Sequence, residues 1–135
     1  MNKQKILVTG GAGYIGSFTV KALKKAGFEP FVFDSLETGH LQAIPGIKVY
    51  QGNLQTDLSS LKKILKEEKP QAVIHFAAYI EVGESVQNPQ KYFFNNIFGT
   101  LNLLKAMIEN QILKIVFSST SAIYGESEKI PIDED

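Results

Sequence analysis

Gly10, Gly11, Gly13 and Gly16 interrupt the stretch KILVTGGAGYIG just after the apolar run Ile6, Leu7, Val8. Such a run suits a fully buried parallel strand, and glycines let the backbone turn through conformations that other residues resist. From Tyr14 on the residues are helix-compatible, so the glycines fall between a strand end and a helix start. The unpaired N–H groups of a helix start, beside bare backbone, can hold a diphosphate. Gly11, Gly13 and Gly16 satisfy G-x-G-x-x-G, while Gly10, Gly13 and Gly16 satisfy G-x-x-G-x-x-G. A nucleoside-triphosphate loop is disfavoured, because its required lysine would fall at Ser17.

Asp34 follows Gly13 by 21 residues, near the ~20-residue offset at which an acid takes ribose hydroxyls. The plainer role for an Asp there is to form a turn; the glycines upstream favour the ribose. Asn53 either accepts from an adenine amino group or stabilises its own turn. Ser118, Ser119 and Thr120 end a strand together, and their hydroxyls suit either a sugar or carbonyl oxygen or the capping of the next turn. Asn95 and Asn96 sit in a helical pattern, where Asn is unfavourable, so at least one needs a buried partner. His75 is expected to satisfy a backbone group, His40 to be solvated, and the charged run 62–69 to be a wet helix face.

These residues need a frame. After the glycine turn, Ile15, Phe18, Thr19, Ala22, Leu23 and Ala26 recur at helical spacing and predict one apolar face, closed by Gly27. Phe31, Val32 and Phe33 form a second strand ending at Asp34, and 47–51 a third. Asp57 or Thr56 caps a helix with Leu58, Leu61, Ile64 and Leu65 inside. A fourth strand covers 72–76, and a mobile-looking stretch covers 77–89. A long helix over 91–110 carries an apolar face of Phe94, Ile97, Phe98, Leu101, Leu104, Ala106 and Ile108. A fifth strand covers 114–119, and a polar tail runs over 122–135. Strands alternating with helical crossovers imply an α/β fold, a doubly wound parallel sheet of Rossmann type. Its ligand belongs at the carboxyl ends of the strands beside the first.

Composition narrows the rest. In 135 residues, 14 basic and 14 acidic side chains balance, so no net field draws the chain to nucleic acid or to a membrane surface. Every basic residue is lysine, which leaves phosphate binding to backbone, lysine or hydroxyl groups. Without cysteine there is no disulfide or thiol chemistry, and the two histidines lack metal-ligand spacing, so no metal is expected. No stretch reads as a signal peptide or membrane span. Cytoplasm is the default.

Beyond the glycine stretch TGGAGYIGS and Asp34, the chain carries HFAA at 75–78, VGESV at 82–86, NNIFGT at 95–100 and FSSTSAIYG at 117–125. On these motifs it resembles the extended short-chain dehydrogenase/reductase superfamily over nearly its whole length, and within it the 4-epimerases of UDP-hexoses. The resemblance implies tightly held NAD that takes hydride from C4 of the UDP-hexose. It implies a tyrosine that takes the O4 proton, and a 4-keto sugar that turns over before hydride returns. Gly10, Gly13 and Gly16, with Tyr14 and Ile15, match the pyrophosphate turn, and Asp34 with Ser35 the adenosine ribose. Asn53 and Leu54 match the adenine-contacting pair, although the family usually has Asp at position 53. Phe76, Ala77 and Ala78 match the wall under the cofactor, and Ser118 a further cofactor contact. Asn95 matches a residue beside both cofactor and substrate. Thr120 matches the catalytic Ser/Thr that bonds the reacting sugar hydroxyl. Ile80 stands where some epimerases have a lysine, so that contact is absent or moved.

The superfamily's Tyr-x-x-x-Lys pair is missing. Tyr14, Tyr50, Tyr79, Tyr92 and Tyr124 are followed four residues on by Phe18, Leu54, Gly83, Asn96 and Glu128. The expectation is an N-terminal part of an NAD-binding domain, its catalytic pair beyond Asp135, inactive alone and a homodimer at full length. A nucleotide-sugar 4,6-dehydratase would carry Asp-Glu where Ser121 and Ala122 follow Thr120. Epimerases or decarboxylases of other UDP-sugars, and a non-catalytic NAD-binding sensor, are the remaining alternatives.

Overall fold

The computed structural model describes residues 3–125 and 130–132. Five strands, β1 (Lys5–Thr9), β2 (Glu29–Asp34), β3 (Lys48–Gln51), β4 (Ala72–His75) and β5 (Ile115–Phe117), form one sheet in the order β3-β2-β1-β4-β5. All four neighbouring pairs are parallel. This is the expected doubly wound α/β arrangement, with the direction of winding reversing beside β1.

Alternation along the strands feeds two cores, as a two-residue period demands. Leu7, Phe31, Phe33 and Val73 pack with Leu61, Ile64 and Leu65 of α2 (Leu58–Glu68), and with Leu103, Ala106 and Met107 of a later helix. Ile6, Val8 and Val32 point the other way, onto Val20 of α1 (Tyr14–Lys25). Gly27, with φ of +91°, follows the end of α1 as a helix-terminating glycine does.

The predicted face of α1 is corrected by the structure. Ile15 and Phe18 are 61% and 59% exposed, and the buried positions are Gly16, Ser17 and Val20. The first turn lies so close to the glycine loop that only small residues fit beneath it, which rotates the larger side chains outward.

Residues 77–89, a mobile-looking stretch in the sequence, contain α3 (Val82–Gln87). The expected long helix is three helical pieces run together. These are α4 (Pro89–Tyr92), a π-helical stretch over Phe93–Phe98, and α5 (Gly99–Glu109). Much of its predicted apolar face is exposed, including Phe94, Ile97, Phe98, Leu101 and Ile108. The side facing the sheet is Gly99, Asn102, Leu103, Ala106 and Met107. Asn102 takes that place because its Nδ2 donates to the carbonyls of Leu54 and Gln55, at 2.9 and 3.2 Å. Of the polar tail, 126–129 and 133–135 lie outside the described residues. Among the described residues no helix is long and apolar enough to cross a membrane.

Candidate cofactor site

β1 ends at Thr9, and the chain turns at Gly10 with φ of +71°, a left-handed conformation that side chains resist. Space forbids a side chain as well, since a Cβ there would stand 2.6 Å from the backbone nitrogen of Ala77. The ends of β1 and β4 therefore touch through bare backbone. A Cβ on Gly16 would run into the Gly10 carbonyl, so that glycine lets α1 settle onto the loop. Gly11 faces inward, where a Cβ would come 2.5 Å from Val32. Gly13 is the N-cap of α1, and its added Cβ would meet only the Gly10 carbonyl, at 3.4 Å. The two glycine registers share Gly13 and Gly16, and of the glycines that distinguish them it is Gly10, not Gly11, that lines the open side of the turn.

A crevice opens there, at the carboxyl ends of the strands. Gly10, Gly13, Asp34, Ser35, Asn53 and Leu54 line it, and so do Phe76, Ala77, Ala78 and Asn95. Those ten candidates are thus brought together. Tyr14 and Ile15 are 83% and 61% exposed on the first turn of α1, and Gly16 lies beneath the turn. Ser118 and Thr120 are exposed just past β5 and are not among the lining residues.

Asp34 is buried at the end of β2, and both its oxygens are engaged. Oδ2 accepts from the Ala12 N–H at 2.9 Å and Oδ1 from the Leu36 N–H at 2.8 Å. The carboxylate thereby ties the glycine loop to its own loop, and each oxygen keeps further accepting capacity. Asn53 stabilises its own turn, its Oδ1 accepting from the Gln55 N–H at 2.8 Å. Its backbone N–H donates to Asp57 Oδ2 at 2.7 Å. Asp57 is the N-cap of α2 by position but makes no side-chain bond to that helix, so the expected cap serves the Asn53 turn instead.

Both asparagines of the pair are partnered. Asn95 Oδ1 accepts from Gln55 Nε2 at 3.1 Å, and Asn95 Nδ2 donates to Asn96 Oδ1 at 2.9 Å. Asn96 grips the backbone of Tyr79, accepting from its N–H and donating to its C=O, both at 2.9 Å. His75 does not serve a backbone group as expected. Its Nδ1 lies 2.6 Å from Thr9 Oγ1 and its Nε2 2.9 Å from Thr100 Oγ1. Two hydroxyls within ring reach are better placed than backbone groups already paired in the sheet. Burial lowers the imidazole to about 4, so it is neutral at ordinary pH.

Six further residues line the crevice: Phe33, Glu37, Thr38, Gly39, Gly52 and Tyr79. Gly39 and Gly52 had a usable signal as loop glycines. A Cβ on Gly39 would come 3.0 Å from Asp34 Oδ1, and one on Gly52 would come 2.5 Å from the Phe33 ring. Glu37 and Tyr79 had none, because they meet only across the folded crevice. Among the described residues that line it none is cationic. The arrangement suits a ligand with an anionic linker, held by backbone N–H groups at the start of α1. It also suits a hydroxyl-bearing ring reaching Asp34.

Comparison with known proteins agrees. Residues 6–135 match the NAD dependent epimerase/dehydratase family. A UDP-glucose 4-epimerase of Lactobacillus helveticus is 50% identical over 132 residues, covering 97% of this chain and 40% of that protein. The crystal structure of UDP-glucose 4-epimerase from Brucella ovis in complex with NAD superposes with a TM-score of 0.87 at 43% identity. That match covers 97% of this chain and 40% of the other. The Bifidobacterium longum enzyme in complex with NAD+ and UDP gives 0.85 at 34% identity, covering 98% and 42%. The chain thus spans about 40% of the length of the relatives it matches. On a match over nearly all its residues, the chain belongs to the NAD dependent epimerase/dehydratase family.

Proposed function

We propose that this chain is the NAD-holding portion of a UDP-hexose 4-epimerase. The observation that carries the reading is the crevice beside β1, where a glycine cradle too tight for side chains meets an Asp34 carboxylate anchored on the Ala12 N–H. The residues fit a dinucleotide. Gly10, Gly13 and the first-turn N–H groups at Tyr14, Ile15 and Gly16 would receive the diphosphate. Asp34 and Ser35 would receive the adenosine ribose, and Asn53 and Leu54 would border the adenine. Phe76, Ala77 and Ala78 would form the wall beneath, joined by Asn95 and Ser118. NAD, when bound, supplies a hydride acceptor and donor.

On the substrate side, Thr120 would hydrogen-bond the O4 hydroxyl of the hexose, with Asn95 nearby, so that the proton leaves along a fixed line. Ser121 and Ala122 after Thr120 leave no acid pair there for a dehydratase. The Tyr-x-x-x-Lys pair is not among these 135 residues, so the chain by itself would hold cofactor without turning sugar over. A homodimeric, cytoplasmic whole protein completes the reading. Exposed Phe94, Phe98 and Leu101 support further packing of that face.

The test is titration of the chain with NADH and NADPH, followed by nucleotide fluorescence, beside an assay of UDP-galactose turnover. Saturable NADH binding, NADPH at least about a hundredfold weaker, and no turnover are expected. Equal affinity for the two nucleotides would sink the assignment of Asp34, and turnover would overturn the division of labour.

A further inference from the structure

One side-chain bond spans the crevice. Tyr79 Oη donates to Oε2 of Glu37 at 2.6 Å, and both residues line the opening. Glu37 lies in the loop after β2 and Tyr79 in the loop after β4. Those strands flank β1 on opposite sides, so the bond joins the two walls over the glycine turn.

Tyr79 is unusually well held for a loop residue. Asn96 grips its N–H and C=O from behind. Its ring lies 5.6 Å from that of Tyr92, and Lys91 Nζ sits 4.5 Å from its centroid. Glu84 fixes both neighbours, accepting from Lys91 at 2.7 Å and from Tyr92 Oη at 2.9 Å. On the other wall, Asp34 Oδ1 holds the Leu36 N–H, one residue before Glu37. Burial and the nearby carboxylate push the Tyr79 phenol up to about 12, so it remains a donor at any working pH.

We propose that the Tyr79–Glu37 bond is a latch across the cofactor crevice, which opens for a dinucleotide to enter and again for it to leave. The inference rests on the dinucleotide reading above and adds control over exchange. A latch that closes equally well over the empty and the filled crevice slows both directions by one factor and leaves the equilibrium unchanged. A group that touched the nucleotide directly would change the equilibrium instead.

Stopped-flow NADH fluorescence on the chain separates the two. Tyr79→Phe removes the hydroxyl and keeps the ring beside Lys91 and Tyr92; Glu37→Ala removes the other end. Each should raise the association and dissociation rates together by about tenfold, the scale of one charge-assisted hydrogen bond discounted for solvent. The dissociation constant should hold within about twofold. The double variant should be no faster than either single one, because both remove the same bond. Unchanged rates, or a faster dissociation matched by weaker binding, would overturn the latch while leaving the dinucleotide reading intact. Failure of the unaltered chain to bind NADH would overturn both.

Discussion

Thr9 Oγ1 lies 2.6 Å from Nδ1 of His75, and the direction of that bond follows from the opposite side of the ring. Thr100 Oγ1 donates to the Asn96 carbonyl at 2.6 Å, so the same oxygen accepts from His75 Nε2–H. The neutral ring then presents Nδ1 as an acceptor, and Thr9 donates to it. Strand β1, strand β4 and the first turn of α5 are joined through one imidazole, and the Thr100 hydroxyl carries the link back to Asn96 of the π-helical stretch. That stretch positions Asn95 and the Asn96 grip on Tyr79, so the network reaches the crevice wall.

Charging His75 should therefore loosen the fold. Its folded value of about 4 lies below the ordinary 6.5, so the unfolded chain binds the proton first. Stability is complete above about pH 6.5 and falls as pH drops toward 4, by about 3 kcal/mol over the whole window. Urea unfolding at a series of pH values reads this directly. His75→Gln should be less stable at pH 7.5 by about 1–3 kcal/mol and should lack the step between pH 6.5 and 4. An unaltered step in that variant would assign it to other groups.

A second acid-sensitive element lies at the opposite end of the sheet. Glu68 accepts from Lys5 at 2.6 Å, from Lys48, and from Tyr50 Oη at 2.6 Å. The bonds to Lys48, Lys5 and Tyr50 hold its carboxyl down at about 2. Its contribution is present above the ordinary carboxylate value of 4.5 and is lost as pH falls through about 2. Glu68→Gln should cost about 1–3 kcal/mol at pH 7 and much less at pH 2. Chemical denaturation at both pH values checks the difference, and an equal cost at both would show that packing, not charge, is what the substitution removes.

The strands and the glycine turn were legible because each is written in consecutive residues, and the position of Asp34 because it ends a strand at a fixed offset from the glycines. Ile6, Leu7 and Val8 read as a buried strand without knowledge of any neighbour. The glycine spacing alone did not choose between the two registers, which the resemblance did, because the difference is that Gly11 faces Val32 of β2 while Gly10 lines the crevice. The face of α1 was misread for a related reason. Apolar spacing favoured Ile15 and Phe18, but close approach of Gly16 to the Gly10 carbonyl sets the helix rotation. The run 91–110 concealed its π-helical stretch, and it was Asn102, a polar residue, that turned toward the sheet. Glu37 and Tyr79 carry no local signal at all; only the strand order brings them together.

Asp34 should decide which nucleotide the crevice takes. A carboxylate about 5 Å from a ribose 2′-phosphate costs roughly 3 kcal/mol per unit charge at an effective dielectric near 20. Asp34→Asn removes the charge while keeping one oxygen for the Ala12 or Leu36 N–H. The preference for NADH over NADPH should shrink from about a hundredfold or more to within about tenfold. Stability should fall by about 1–2 kcal/mol, since one of the two N–H groups, buried at Ala12 and part-buried at Leu36, loses its acceptor. Parallel titrations with both nucleotides measure the ratio, and a ratio unmoved by the substitution would remove Asp34 from the ribose.

Gly13 and Gly16 separate binding from folding. A methyl on Gly16 collides with the Gly10 carbonyl and comes 2.8 Å from Gly11 Cα, backbone that cannot move aside without shifting α1. Gly16→Ala should cost about 3 kcal/mol and lower the melting temperature by several degrees. A methyl on Gly13 meets only the Gly10 carbonyl at 3.4 Å, an ordinary contact, and Gly13 borders the crevice. Gly13→Ala should therefore keep the fold within about 1 kcal/mol, the cost of alanine at an N-cap. NADH affinity should nonetheless fall by about a hundredfold, because in the proposed reading the diphosphate needs bare backbone there. Thermal melts and NADH titrations on the two variants give the comparison. Tight NADH binding by Gly13→Ala would move the diphosphate away from the start of α1.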